Sequence, residues 1–147
     1  IARVWAIEIV GRGSLYRFER DAAGLWFHHV GQHVHTPGGF VHHADPNLAP
    51  LIEAELSVLD RLPVARVVAR HPDATALAGA GLEHPSTILL LYSRDTAGPV
   101  ARIELGNAAA DGLGRYARIQ QNDTLVIVPE DAAQHLATLL QLAGTPS

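Results

Sequence analysis

The sequence predicts an α+β fold in which antiparallel β-hairpins form a sheet and two main helices pack against it. Short segments recur in which residues are apolar throughout or alternate between apolar and polar. Glycine-containing turns lie between these segments, as is typical of hairpins. Two longer segments instead repeat leucine at helical spacing. The composition is 48% hydrophobic and 18% charged with no cysteine, as expected of a globular chain that buries its core without disulfides.

Three strands followed by a helix are predicted in the first half of the chain. The strands are expected at residues 4–10, 15–19 and 25–29. The pair Asp45-Pro46 predicts a helix start, because aspartate suits the N-cap and proline lacks an N–H that would be unpaired there. This helix continues to about Leu62, and Pro63 ends it. Its apolar residues are Leu48, Leu51, Ile52, Leu56 and Leu59.

A similar order of elements is predicted in the second half. Strands are expected at residues 64–69, 87–92, 100–105, 116–120 and 124–128. A short helical turn or loop is expected between His71 and Gly81, and Pro129 leads into a last amphipathic helix. The apolar residues of that helix are Ala133, Leu136, Leu139, Leu140 and Leu142.

The two helical segments resemble each other, with ADPNLAPLIEAEL in the first half and VPEDAAQHLATLL in the second. Because each follows a group of strands, we interpret the chain as a single domain of residues 1–147. In this interpretation the chain consists of two duplicated βββα-like halves, 1–63 and 64–147, whose antiparallel strands, each with a helix on one face, would form an α+β sandwich. Two unrelated hairpins that each lead into a helix would produce the same pattern.

The net charge bears on the class of partner, and the start of the chain bears on whether further sequence precedes it. A net charge of −4 argues against nucleic acid, because phosphate binding needs a basic stripe. The sequence contains no signal peptide and no apolar span of about 18 residues. The chain begins at Ile1 and has no methionine, so we expect it to be part of a longer product, with either a removed signal peptide or a membrane anchor upstream.

The most unusual feature is a histidine-rich stretch, FHHVGQHVHTPGGFVHH, in which six of the nine histidines fall within residues 28–43. Imidazole is the side chain most often used to bind transition metals. The six candidate metal ligands are His28, His29, His33, His35, His42 and His43.

The spacing of these histidines allows several to reach one ion. On an extended chain His33 and His35 point to the same face, about 6–7 Å apart at Cα. The turn at Pro37-Gly38-Gly39 would fold the chain back, so that one histidine from each adjacent pair could join them. An all-nitrogen set suits Zn²⁺, Cu²⁺ or Ni²⁺, and the lack of cysteine and methionine argues against Cu⁺.

Two other interpretations of the stretch stay open. It can be a polar loop that binds no metal, or a contact surface that gains positive charge between about pH 7 and 5. The remaining histidines are expected to be structural or exposed: His71, His84 and His135. The tryptophans Trp5 and Trp26 are expected in the core, and the glutamates Glu53 and Glu55 on a solvated helix face.

No catalytic motif is present: the nucleophile elbow, the P-loop, the Rossmann fingerprint and H-E-x-x-H are all missing from the sequence. A histidine-ligated metal could activate water, but no carboxylate suited to act as acid or base stands out near the cluster. A metal hydrolase is therefore the third hypothesis, and the chain is expected not to be an enzyme.

The order of motifs along nearly the whole chain is similar to a known family. The matching pieces are VWAIEIV, YRFERDAAGLWFHH, ADPNLAPLIEAELSVLDRL, AGLEHPSTILLLY, IELGNAAADGLGRYARI and TLVIVPEDAAQHLATLL. This order resembles bacterial proteins that carry the DUF4340 domain. The resemblance implies an N-terminal membrane anchor, an extracytoplasmic β-rich region and an accessory role in a membrane complex. It supplies no catalytic residues, and the histidine-rich insert departs from the usual pattern.

Together these observations predict a non-enzymatic, membrane-associated accessory protein, located in the periplasm or otherwise outside the cytoplasm. Its expected partner is a membrane protein complex, and its histidine-rich segment is expected to bind a transition metal ion. The alternative function is a structural or assembly subunit whose histidines contact a protein partner and bind no metal.

Overall fold

The computed structural model describes residues 4–29 and 46–144, in which eight strands and three α-helices are present. The strands are β1 (Val4–Gly11), β2 (Ser14–Arg20), β3 (Trp26–His29), β4 (Arg66–Arg70), β5 (Thr87–Ser93), β6 (Pro99–Ala108), β7 (Arg115–Ile119) and β8 (Thr124–Val128). The helices are α1 (Leu48–Leu59), α2 (Ala74–Gly79) and α3 (Glu130–Gly144). The expected α+β class is confirmed, with antiparallel hairpins and two main helices.

All eight strands belong to one antiparallel sheet with the order β3-β2-β1-β5-β6-β7-β8-β4. Consecutive strands form hairpins on either side of a central β1–β5 pair, in which Ile7 lies opposite Leu91 and Ile9 opposite Leu89. This arrangement places the first three strands on one side of the sheet centre and β5, β6 and β7 on the other. An internal duplication stays a prediction.

Helices α1 and α3 pack on the same face of this sheet. The alternation along β1 explains why, because Ile7 and Ile9 are fully buried on that face while Glu8 between them is only half-buried. Residues of both helices complete the core, including Ile52, Leu56, Leu136 and Leu139. Burying this many aliphatic side chains supplies the main favourable free energy of folding.

The opposite face is covered only in part by the helices that the structure describes. There α2 and the residues after it contribute Leu77, Ala80 and Leu82 to a second small cluster around Leu125 of β8. Leu125 and its neighbour Val126 point to opposite faces of the sheet, so this cluster is separate from the main core. Strands β1, β2, β5 and β6 present an open face with charged and aromatic side chains.

The predicted start of α1 was two residues too early. The helix begins at Leu48 with Asn47 as its N-cap, and Pro46 lies in a turn. Asp45 falls outside the described residues. The helix ends at Leu59, before the predicted end at about Leu62, and Leu51, one of its apolar residues, is 48% exposed. Within residues 4–29 and 46–144, no helix has the length and apolar character needed to cross a membrane.

Candidate functional site

The structure describes two of the six predicted metal ligands, His28 and His29, which are the last residues of β3. The other four, His33, His35, His42 and His43, lie outside the described residues. In the described part of the chain, no three histidine, aspartate or glutamate side chains are grouped so that they could hold a metal ion.

His28 lies on the face of the sheet that α1 and α3 cover. It pairs with Phe18 of β2, and its imidazole ring is 5.3 Å from the Phe18 ring and 6.4 Å from the Tyr16 ring, measured between centroids. The backbone of His29 pairs with Arg17, which lies on the open face. The sheet therefore fixes the backbone at the point where the histidine-rich segment begins.

A buried tryptophan connects the two elements that flank this segment. Trp26 of β3 is fully buried, and its indole Nε1 donates a hydrogen bond to Glu53 Oε1 of α1 at 2.9 Å. Arg20 lies over the Trp26 ring, 4.3 Å from its centroid, and forms an ion pair with the same Glu53. The two elements on either side of residues 30–45, β3 and α1, are therefore held together by direct contacts.

Glu53 and Glu55 are not on a solvated helix face as predicted. Glu53 bonds to β2 and β3, and Glu55 Oε2 lies 2.6 Å from Nδ1 of His135 in α3. The two glutamates do face apart, as their spacing on the helix requires. Sequence analysis missed their partners because both lie far away in the chain, and no local pattern records such contacts.

The open face carries a polar and aromatic cluster, which we call the Arg17 cluster, formed by Trp5, Glu8, Arg17, Glu19 and Tyr92. Arg17 Nη1 lies 2.5 Å from Glu8 Oε1, and its Nε donates to Glu19 Oε2 at 3.2 Å. The Tyr92 hydroxyl donates to Glu8 Oε2 at 2.6 Å. The guanidinium carbon of Arg17 is 5.5 Å from the centroid of the Tyr92 ring and 5.9 Å from that of Trp5. Trp5, predicted in the core, is therefore a half-buried residue of this face.

A cleft of about 430 Å³ lies beside the Arg17 cluster, between the start of β1 and the ends of β2 and β5. Trp5, Arg20 and Arg94 line it, and the Arg94 guanidinium carbon is 5.6 Å from the centroid of the Trp5 ring. Arg20 is occupied structurally, because its Nε and Nη1 donate to the carbonyl oxygens of Val4 and Gly24. Two lining residues, Trp5 and Arg94, are of the types most enriched at protein–protein binding hot spots.

The pKa of the Tyr92 hydroxyl can be used to test the hydrogen bond between Tyr92 and Glu8. Burial raises the pKa of the Tyr92 hydroxyl, and the hydrogen bond to the negatively charged Glu8 raises that pKa further. The variant Glu8→Gln removes the charge but keeps the size of the side chain. We expect it to lower the Tyr92 pKa toward 10.0, as measured by NMR titration of ¹³C-labelled tyrosine.

An unchanged Tyr92 pKa in the Glu8→Gln variant would contradict the hydrogen bond.

Comparison of the chain with protein-family models, with curated proteins and with solved structures finds no match. The resemblance to DUF4340 proteins therefore stays a prediction.

Proposed function

We propose that this chain is a non-enzymatic accessory protein whose histidine-rich segment binds one transition metal ion, Zn²⁺, Cu²⁺ or Ni²⁺. The proposal includes an extracytoplasmic location and attachment to a membrane complex, on the basis of the resemblance to DUF4340 proteins. The observation that supports metal binding is the contact between Trp26 and Glu53, which holds the two flanks of residues 30–45 together.

Fixed flanks favour metal binding for an entropic reason. Bringing the ends of a flexible segment together costs conformational entropy. Here the folded domain holds the two flanks together before any ligand is bound, so metal binding does not have to supply that closure. The imidazoles must be neutral to bind, and affinity should therefore rise as the pH increases through about 6.5.

The test is to measure metal bound to the whole chain after saturation with each ion and desalting. The protein is purified without a His tag. Bound metal is measured by inductively coupled plasma mass spectrometry. We expect about one ion per chain, and loss of that ion in the double variant His33→Ala/His35→Ala.

The matched control is His71→Ala/His84→Ala, which removes two exposed histidines outside the segment. It should retain the metal. Failure of the wild-type chain to retain any of the three ions would refute the proposed site, as would equal retention by both double variants.

A second candidate function is an assembly subunit that binds a protein partner through the open sheet face. The Arg17 cluster and Arg94 favour it, because tryptophan, tyrosine and arginine are the residues most enriched at binding hot spots. A chain that binds no metal would leave this function as the preferred one.

A further inference from the structure

The cleft beside Trp5 has walls that hydrogen bonds within the chain hold in place. Arg20 joins the start of β1 to the turn after β2, because its Nε donates to the carbonyl oxygen of Val4 at 3.0 Å and its Nη1 to that of Gly24 at 2.9 Å. In the same turn the Asp21 carboxylate accepts two backbone N–H groups. A site whose walls are fixed before a ligand arrives loses less conformational entropy on binding. The cleft volume of about 430 Å³ lies within the range of small-molecule sites.

Three consecutive residues at the end of β5 form the polar side of this cleft: Ser93, Arg94 and Asp95. Ser93 is 6% exposed, and its hydroxyl oxygen accepts a hydrogen bond from the backbone N–H of Asp95 at 3.3 Å. Within residues 4–29 and 46–144, that hydroxyl donates no hydrogen bond, and neither the Arg94 guanidinium nor the Asp95 carboxylate forms an ion pair. The buried donor and the two opposite charges are therefore available to a ligand.

Arg94 is positioned by the Trp5 ring. Its guanidinium carbon lies 5.6 Å from the ring centroid, and its Nη2 makes one long contact of 3.4 Å with the carbonyl oxygen of Asp21. A cation held against an aromatic ring keeps its charge and can still donate hydrogen bonds to a carboxylate. Arg20, which also lines the cleft, already forms an ion pair with Glu53. An incoming anionic group would therefore be bound by Arg94.

The two unpaired charges together restrict the charges that a ligand can carry. Arg94 and Asp95 are adjacent in the sequence, so a ligand that contacts one lies near the other. A ligand with a carboxylate alone would be attracted by Arg94 and repelled by Asp95, and a ligand with an amine alone would meet the reverse. A ligand that carries both groups on one carbon atom satisfies both side chains. The end of a protein chain is disfavoured, because it carries one of the two charges only.

From these observations we propose that the cleft binds a free α-amino acid. Arg94 and the Ser93 hydroxyl donate to the carboxylate of the ligand, and the Asp95 carboxylate accepts from its ammonium group. The side chain of the ligand lies against Trp5 and the turn at residues 22–24, so a large apolar side chain is preferred. The proposal does not depend on metal binding by the histidine-rich segment.

The proposal is tested by NMR titration of the whole ¹⁵N-labelled chain with L-phenylalanine. The chain has two tryptophans and therefore two indole N–H signals, which the variant Trp5→Phe assigns. Trp5 lines the cleft, whereas Trp26 is fully buried and serves as the internal control. We expect a saturable shift of the Trp5 signal with a Kd below about 1 mM, and an unchanged Trp26 signal.

Two modified ligands and two variants test the charges. N-acetyl-L-phenylalanine lacks the ammonium charge and L-phenylalanine amide lacks the carboxylate charge, and each should bind at least about tenfold more weakly. Arg94→Gln and Asp95→Asn should each weaken binding of L-phenylalanine by a similar factor. The matched controls Arg12→Gln and Glu83→Gln neutralise exposed residues outside the cleft and should bind as the wild-type chain does. An unchanged Trp26 signal shows that each variant is folded.

Three results would overturn the proposal. The first is no saturable shift of the Trp5 signal up to about 10 mM L-phenylalanine. The second is a loss of binding in Arg12→Gln and Glu83→Gln equal to that in the cleft variants. The third is binding of either modified ligand as tightly as the free amino acid, which would assign the cleft to a chain terminus of a protein partner.

Discussion

Replacing Trp26 with alanine is expected to lower the free energy of unfolding by about 3–5 kcal/mol, the usual loss when a large buried aromatic side chain is truncated. Trp26 has no exposed surface, and its ring is in contact with Arg20. The substitution also removes the hydrogen bond from β3 to Glu53 of α1. Since small domains are stable by about 5–15 kcal/mol, this loss is a large share of the total stability.

Urea unfolding followed by circular dichroism measures this effect. The matched control is Trp5→Ala, which truncates the half-buried tryptophan of the open face. It should lower the free energy of unfolding clearly less than Trp26→Ala does. The variant Trp26→Phe keeps most of the apolar volume but loses the hydrogen bond to the charged Glu53, so its free energy of unfolding should fall by about 1.5–3 kcal/mol. Equal losses in Trp26→Ala and Trp5→Ala would contradict the burial of Trp26.

Replacing Gly114 with alanine is expected to lower the free energy of unfolding by about 2–6 kcal/mol, the sum of backbone strain and overpacking. Gly114 precedes β7 and has φ +145°, a conformation that L-residues rarely adopt. A Cβ atom there would lie 2.8 Å from the carbonyl carbon of Val128 and 2.9 Å from Cα of Pro129. Both are backbone atoms that cannot move aside without disturbing the entry to α3.

Gly112→Ala is the matched control for this substitution. Gly112 has φ +71°, but a Cβ atom there would meet nothing within 4 Å. Gly112→Ala should therefore lower the free energy of unfolding by only about 1–2 kcal/mol, the penalty of the left-handed conformation itself. Thermal unfolding compares the stability of the two variants directly. A smaller loss of stability for Gly114→Ala than for Gly112→Ala would contradict the close approach of Gly114 to Val128.

Most secondary-structure elements could be predicted because their signals are local. The strand at Thr124–Val128 was predicted with its observed bounds, since a run of apolar residues there lies between Asn122-Asp123 and Pro129. The order of strands could not be predicted. It depends on which edges meet in space, and β4 joins β8 across more than 50 residues of chain.

The candidate site was predicted less well than the fold. Composition identified the histidine-rich stretch, but the contact that holds its flanks, from Trp26 to Glu53, joins residues of β3 and α1 and leaves no sequence pattern. The Arg17 cluster was missed for the same reason. Its members come from three strands, β1, β2 and β5, and only the register of the sheet places Glu8 beside Arg17 and Tyr92.

The most direct test of the central claim is X-ray absorption spectroscopy of the whole chain loaded with Zn²⁺. The proposal predicts a first shell of nitrogen atoms at about 2.0–2.1 Å with the multiple-scattering signature of imidazole. That signal should disappear in His33→Ala/His35→Ala and persist in His71→Ala/His84→Ala. A first shell of oxygen atoms alone, or loss of Zn²⁺, Cu²⁺ and Ni²⁺ alike on desalting, would contradict metal binding by the histidine-rich segment.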